Sequence, residues 1–316
     1  MIPVVINADD FGLTEGVCAG IVKAIQAGGV TATTAMACVP GAVERLKRWA
    51  PKIPGRIGAH LQLTSGAPVL PPERVPSLVQ DAGQFPAIRK QVRAPRTEEI
   101  LFEWRAQIEL LLCTGVELTH LDSHHHIHCL PAALPAFCEL AKQYGLPARA
   151  LDAGTTRTLR TAGVPCVSNT LTDWYGGELS VGSLVNVLKE GRRESPEAGS
   201  FEVMCHPGFV DGGLRLLSRY VDDREKELAV LCDGALQQEL AAAGFCLSSI
   251  SFAAGITDKR DNKRQDPINP EGRRVDRGTG PAPEPKEFSR YPRSSVAPTA
   301  SHRVRLRGIG RTQAIT

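Results

Sequence analysis

Aromatic side chains, paired cysteines and long apolar runs are all scarce in these 316 residues. No uninterrupted apolar stretch approaches the roughly 18 residues of a membrane-crossing helix, so no membrane span is expected. The opening Met1-Ile2-Pro3-Val4-Val5-Ile6 has no basic leader ahead of an apolar stretch, which argues against an export signal. The nine cysteines stand singly, at 18, 38, 113, 129, 138, 166, 205, 232 and 246, with no Cys-x-x-Cys pair. An odd set of isolated thiols among apolar neighbours reads as reduced and buried, and places the chain in the cytoplasm. A nucleophilic cysteine needs an activating partner, and Cys205 beside His206 is the pair worth naming, but that histidine is better used in the chemistry described below. No internal repeat is present, which argues against a solenoid.

Net charge is also nearly absent: 37 Lys and Arg face 34 Asp and Glu. The balance is uneven along the chain. Residues 256–316 hold 14 basic and 7 acidic residues, leaving 23 against 27 for residues 1–255. A near-neutral body gives no reason to expect a nucleic-acid partner, and only the tail could attract polyanions. That tail carries 7 of the 23 prolines and no sustained apolar stripe, so it cannot bury enough surface to offset its ordering. Two segments are therefore expected: a folded domain over 1–255 and a basic, disordered tail over 256–316.

Within the body, short apolar runs alternate with helix-like segments, the pattern of βα units and a parallel α/β sheet. Strands are expected at Val4–Ile6, Thr33–Val39, Arg56–Leu63, Glu117–Asp122, Ala148–Leu151, Val164–Val167, Phe201–Cys205 and near Cys246–Phe252. Helices are expected over Gly16–Ala27, 40–50, Thr97–Thr114, Ala132–Tyr144, Gly182–Glu190 and, as one long final helix, Arg224–Ala243. Residues 64–96 are rich in Pro, Gly and polar groups without a period and read as an excursion over a binding face.

Four stretches carry chemistry. Asn7-Ala8-Asp9-Asp10-Phe11-Gly12 closes the first strand, where α/β folds place their working groups. Two adjacent carboxylates there repel unless a cation takes one and leaves the other to handle protons; the plainer alternative is that Asp9 caps a turn and Asp10 faces solvent. His120-Leu121-Asp122-Ser123-His124-His125-His126-Ile127-His128 packs five of the chain's eight histidines into nine positions. Strand alternation puts His120, Asp122 and His124 on one face. His60, alone in a strand-like stretch, is costly to bury unpartnered, and Cys205-His206-Pro207-Gly208 follows another apolar strand. One Asp and two His make the open three-ligand site of a hydrolytic metal centre.

These stretches, with Gly58-Ala59-His60-Leu61-Gln62-Leu63-Thr64 and Asp173-Trp174-Tyr175-Gly176-Gly177, resemble the signature segments of the YdjC-like carbohydrate deacetylases, a group that includes chitooligosaccharide and hopanoid-associated deacetylases. The resemblance runs in order from about residue 2 to about 250. It implies a distorted parallel βα barrel, similar to a TIM barrel and to polysaccharide deacetylases. It further implies hydrolysis of N-acetyl groups from an amino sugar with one divalent metal ion, Mg²⁺ or Zn²⁺. Asp10, His60 and His124 fall on the family's metal-ligand positions, Asp9 on its catalytic base and His206 on its acid. Gln62 stands where Asn is common and Gly177 where Gln is common. The ending after Ser251 also departs from the family pattern. These departures bear on the substrate more than on the chemistry.

The expected partner is an N-acetylated saccharide, free or lipid-linked, read by the 64–96 excursion and by the faces of Trp174 and Tyr175. A homodimer is compatible with the sequence. Rival readings are a metal-dependent phosphoesterase and a sugar-binding protein without turnover; the second has no use for Asp9 or His206.

Overall fold

A computed structural model describes residues 1–256. Strand β1 (Ile2–Phe11) forms the centre of the sheet because Val4, Val5 and Ile6 have no exposed surface and every strand around it runs parallel to it. On one side it pairs with β6 (Phe201–Cys205), which pairs in turn with β5 (Asn169–Leu171). On the other lie β2 (Ala32–Ala35), β3 (Ile57–Leu61) and β4 (Leu121–Ser123) in succession, while β7 (Phe245–Leu247) meets the first residues of β1. Beyond β4 the ladder continues through single bridges, Leu121 to Ala148 and Ala148 to Cys166. Cys166 lies three residues before β5, and the parallel strands curl into a half-barrel. The result is the expected distorted barrel of parallel strands.

Helices cover it: α1 (Glu15–Ala27), α2 (Ala42–Trp49), α3 (Thr97–Leu112), α4 (Leu134–Tyr144), α5 (Ala153–Thr161), α6 (Val181–Glu194), α7 (Gly212–Leu217), α8 (Asp223–Leu231), α9 (Leu236–Ala242) and α10 (Ile250–Ala253). The local chemistry explains their ends. Thr14 caps α1 by accepting from the Val17 N–H, and Gly28 stops it at φ +83°, a left-handed conformation that glycine adopts without strain.

The structure departs from the sequence expectations at several elements. The long helix expected over Arg224–Ala243 is two, α8 and α9, broken around Asp233 and Gly234. The last strand is only Phe245–Leu247, and Ile250–Ala253 is helical, capped by Ser249. Ala148–Leu151 and Val164–Val167 contribute one bridge residue each, whereas the longer pairing falls on β5. Helix α5 was not expected; its start signal is Asp152, which accepts from the Thr155 N–H. The disordered tail expected over 256–316 lies, beyond Ile256, outside the described residues.

The excursion over 64–96 is tied down from below. Glu103, fully buried on α3, accepts the backbone N–H groups of Val69 and Leu70 at 2.8 and 3.0 Å, and Glu99 accepts that of Ser77 at 2.7 Å. Among the described residues no helix is long and apolar enough to cross a membrane.

Candidate active site

The site gathers at the C-terminal ends of the strands, where a cavity of about 730 Å³ is lined by Asp9, Asp10, His60, His124, Tyr175 and His206, among others. Adjacent residues of a regular strand point to opposite faces, yet Asp9 and Asp10 both reach this cavity. The reason is an irregularity in the β1–β2 register between Ala8 and Phe11, where Asp10 takes φ +70°. A left-handed non-glycine residue costs about 1–3 kcal/mol, which surrounding contacts must offset.

Those contacts separate the two carboxylates. Asp10 Oδ2 accepts from Arg224 Nη2 at 2.6 Å. Its Oδ1 is buried without a hydrogen-bond partner and faces His60 Nε2 at 3.6 Å and His124 Nδ1 at 3.4 Å. Burial would raise the Asp10 carboxyl, but Arg224 and His124 hold it well below the usual carboxylate range. Asp9 is gripped instead by Arg149, Nη1 on Oδ2 at 2.8 Å and Nη2 on Oδ1 at 2.7 Å, with Asn7 Nδ2 also on Oδ1 at 2.8 Å. It too is buried, and Arg149 keeps it ionised against that burial. Fully buried Arg149 also meets Asp122 and Glu202, at 2.9 and 2.7 Å.

His60 is oriented from behind by Asp122, whose Oδ1 lies 2.7 Å from Nδ1, so Nε2 is the nitrogen that faces Asp10. Burial lowers the His60 pKa, but Asp122 and Asp9 outweigh it and bring it up to about 9; a cation binding there has a proton to displace. Ser123 ends β4, and His125 and His126 then turn through φ +55° and +51°. That turn sends the histidine run in several directions. His124 reaches Asp10, His125 bonds Thr64 Oγ1 at 3.0 Å, and His126 lines the cavity. His120 lies beneath, bonded to Asn7 Oδ1 at 3.0 Å, and His128 stacks on Phe137.

A single ion can be held by Asp10, His60 and His124, whose ligand atoms all lie within 4.8 Å of one another. The donors fit a divalent cation: one carboxylate oxygen without a bond, one oriented imidazole nitrogen and a second imidazole. His206, just beyond β6, also lines the cavity. Its ring Nδ1 has no partner, and burial brings its pKa down to about 4 despite the pull of Asp10 and Asp9, so it rests neutral.

Of the two aromatics expected to touch sugar, only Tyr175 lines the cavity, 47% exposed. Trp174 is a correction: it is 1% exposed, and its Nε1 donates to Ser183 Oγ at 3.1 Å, so its face belongs to the core. Sequence reasoning missed Arg149, Glu202, Arg224, Tyr220 and Glu227. A signal existed for two of them, since Arg149 and Glu202 are lone charges inside apolar stretches.

Comparison with known proteins matches the family model described as YdjC-like protein over residues 3–242. A carbohydrate deacetylase of Geobacillus stearothermophilus is 38% identical over 245 residues, 76% of this chain and 93% of that protein. One from Vibrio cholerae serotype O1 is 39% identical over 242 residues, 76% and 91% of the two chains. The crystal structure of a proposed cellobiose-phosphate cleavage protein from Enterococcus faecalis V583 superimposes with a TM-score of 0.71 at 33% identity, covering 79% of this chain and 98% of that one.

Proposed function

This chain belongs to the YdjC-like protein family, and from that premise we propose that it is a carbohydrate deacetylase, a hydrolase that cleaves the amide of an N-acetylated amino sugar with the help of one divalent cation. The observation that carries the reading is the division of labour between Asp9 and Asp10: neighbours in sequence, one ion-paired to Arg149, the other aimed at two imidazoles.

Asp10 Oδ1, His60 Nε2 and His124 Nδ1 would hold the cation. When bound, it polarises the acetamide carbonyl and acidifies water, together worth several kcal/mol of barrier. The chain's own residues do the rest. Arg149 keeps Asp9 ionised and fixes its two oxygens, so Asp9 is set to take the proton of the attacking water. His206 delivers a proton to the departing amine nitrogen as the C–N bond breaks, releasing acetate. Because it rests neutral, that proton is one taken up during turnover. Tyr175 offers an aromatic face to the pyranose.

Mg²⁺ and Zn²⁺ both suit this donor set. Nine free thiols support a cytoplasmic setting. Acetate assays over N-acetylated mono- and oligosaccharides, with and without chelator, test the reading. Chelator-sensitive acetate release is expected. Phosphate release from sugar phosphates in place of acetate would favour a phosphoesterase, and tight sugar binding without acetate would favour a binding protein.

A further inference from the structure

Helix α8 buries two charged residues, Arg224 and Glu227, one turn apart; Arg224 lines the cavity and Glu227 lies behind it, bonded to His206 and Tyr220. Arg224 is accounted for by Asp10. Glu227 touches neither the candidate ligands nor Asp9, yet its carboxylate has no exposed surface and both oxygens are used. Oε2 accepts the backbone N–H of His206 at 2.5 Å, and Oε1 accepts the phenol of Tyr220 at 2.5 Å.

Tyr220 connects that carboxylate to the substrate side. It lies on the connection between α7 and α8, lines the cavity, and stacks on Tyr175 with ring centroids 4.2 Å apart at 30°. Both rings meet His206 edge-on, Tyr175 at 5.1 Å and Tyr220 at 5.8 Å. The Arg224 guanidinium lies over the Tyr220 ring, 5.8 Å from its centroid. With Tyr175 against its ring and its hydroxyl bound, Tyr220 has little freedom and backs Tyr175, which keeps the more exposed position. Tyr175 stands on the loop after β5 and His206 follows β6, so no local sequence constraint holds them in register.

We propose that Glu227 is a positioning residue that locks the sugar-contacting wall, Tyr175 on Tyr220, to the candidate acid His206, so that one buried carboxylate sets both where the pyranose rests and where the proton is delivered. The proposal rests on Tyr175 as a sugar contact and His206 as the acid. It assigns separable effects to its two arms: the phenol arm governs binding, and the amide arm governs the proton step.

The test is steady-state acetate release from N,N′-diacetylchitobiose, with calorimetric binding of the same disaccharide, bound metal by elemental analysis and thermal melting, for the full-length protein and its variants. Tyr220→Phe cuts only the phenol arm and should raise KM and Kd about fivefold while kcat stays within about twofold. Glu227→Ala cuts both arms; it should raise KM to the same extent and also lower kcat about tenfold or more, as misplaced catalytic groups do. Glu227→Gln can still accept the amide and donate to the phenol oxygen, so it should restore both constants to within about threefold of the parent. In the double variant the KM effect should not grow beyond that of either single one, because both remove the same contact. Metal content should stay constant throughout.

An unchanged KM and Kd in Tyr220→Phe overturns the proposal, as does a multiplied KM effect in the double variant. If Glu227→Ala does not fold, Glu227→Asp takes its place, since a side chain one methylene shorter cannot span both donors. Should the parent protein release no acetate, the proposed reaction fails by itself, while the calorimetric arm still decides whether Glu227 and Tyr220 act together on sugar binding.

Discussion

Arg224 Nη2 sits 2.6 Å from Asp10 Oδ2, and that one bond leaves Oδ1 as the only atom of the carboxylate turned toward His60 and His124. A guanidinium and a cation therefore compete for the same negative charge. Arg224→Met should destabilise the metal-free protein by about 3–5 kcal/mol, because it strands a buried carboxylate. Divalent cation should then stabilise the variant more than the parent, since it takes over the missing charge. Melting curves with and without added ion measure the difference; an equal increment in both proteins would show that the two charges do not compete.

The roles given to Asp9 and His124 separate cleanly. Asp9→Asn should keep bound metal at parental stoichiometry and reduce turnover by about 10²–10⁴-fold, the usual range for a lost proton-transfer group. His124→Ala should instead lose metal. Elemental analysis beside acetate assays reads both, and a fully active Asp9→Asn would remove Asp9 from the mechanism.

Arg149 balances Asp9, Asp122 and Glu202 with no exposed surface of its own. Its replacement by Met leaves three buried acids without their cation. Chemical denaturation should show a loss of at least about 3–5 kcal/mol, or no folded protein at neutral pH with partial recovery in acid.

Glu227 makes stability depend on pH. Burial raises its pKa from 4.5 to about 7, although Tyr220, the His206 amide and Arg224 oppose the rise and only Asp223 adds to it. The native chain therefore binds a proton that the unfolded chain has released between those two values. The stabilisation from this group is whole below about pH 4.5 and lost as pH climbs through 7, at most about 3 kcal/mol. Glu227→Gln should flatten that decline. Urea titrations of chelator-treated protein at pH 5 and pH 8 should show the parent losing stability relative to the variant, and parallel curves would contradict the assignment.

Much of this architecture was legible beforehand, and the reasons are physical. Val4–Ile6 and Phe201–Cys205 are apolar because parallel strands are covered on both faces, and Asp9, Asp10 and His206 stand out by following such runs. Alternation along β4 favoured His124, even though it is the backbone turn at His125 and His126 that sorts the run. The supporting charges were harder to see. Arg224 and Glu227 sit in a stretch, Asp222-Asp223-Arg224-Glu225-Lys226-Glu227, that reads as a solvated helix face, and nothing local shows which two turn inward. Trp174 and Tyr175 are neighbours of similar chemistry, and only tertiary packing decides which ring meets the cavity.

The curled sheet is thinnest where Ala148 and Cys166 extend it by single bridges. Arg149, one residue on, spans the interior at that seam and ties β1, β4 and β6 together by charge. Cohesion and reactivity thus draw on one electrostatic knot. Redesign of the barrel centre with oily side chains, a common route to a hardier protein, would here dismantle the carboxylate geometry on which the proposed reaction rests.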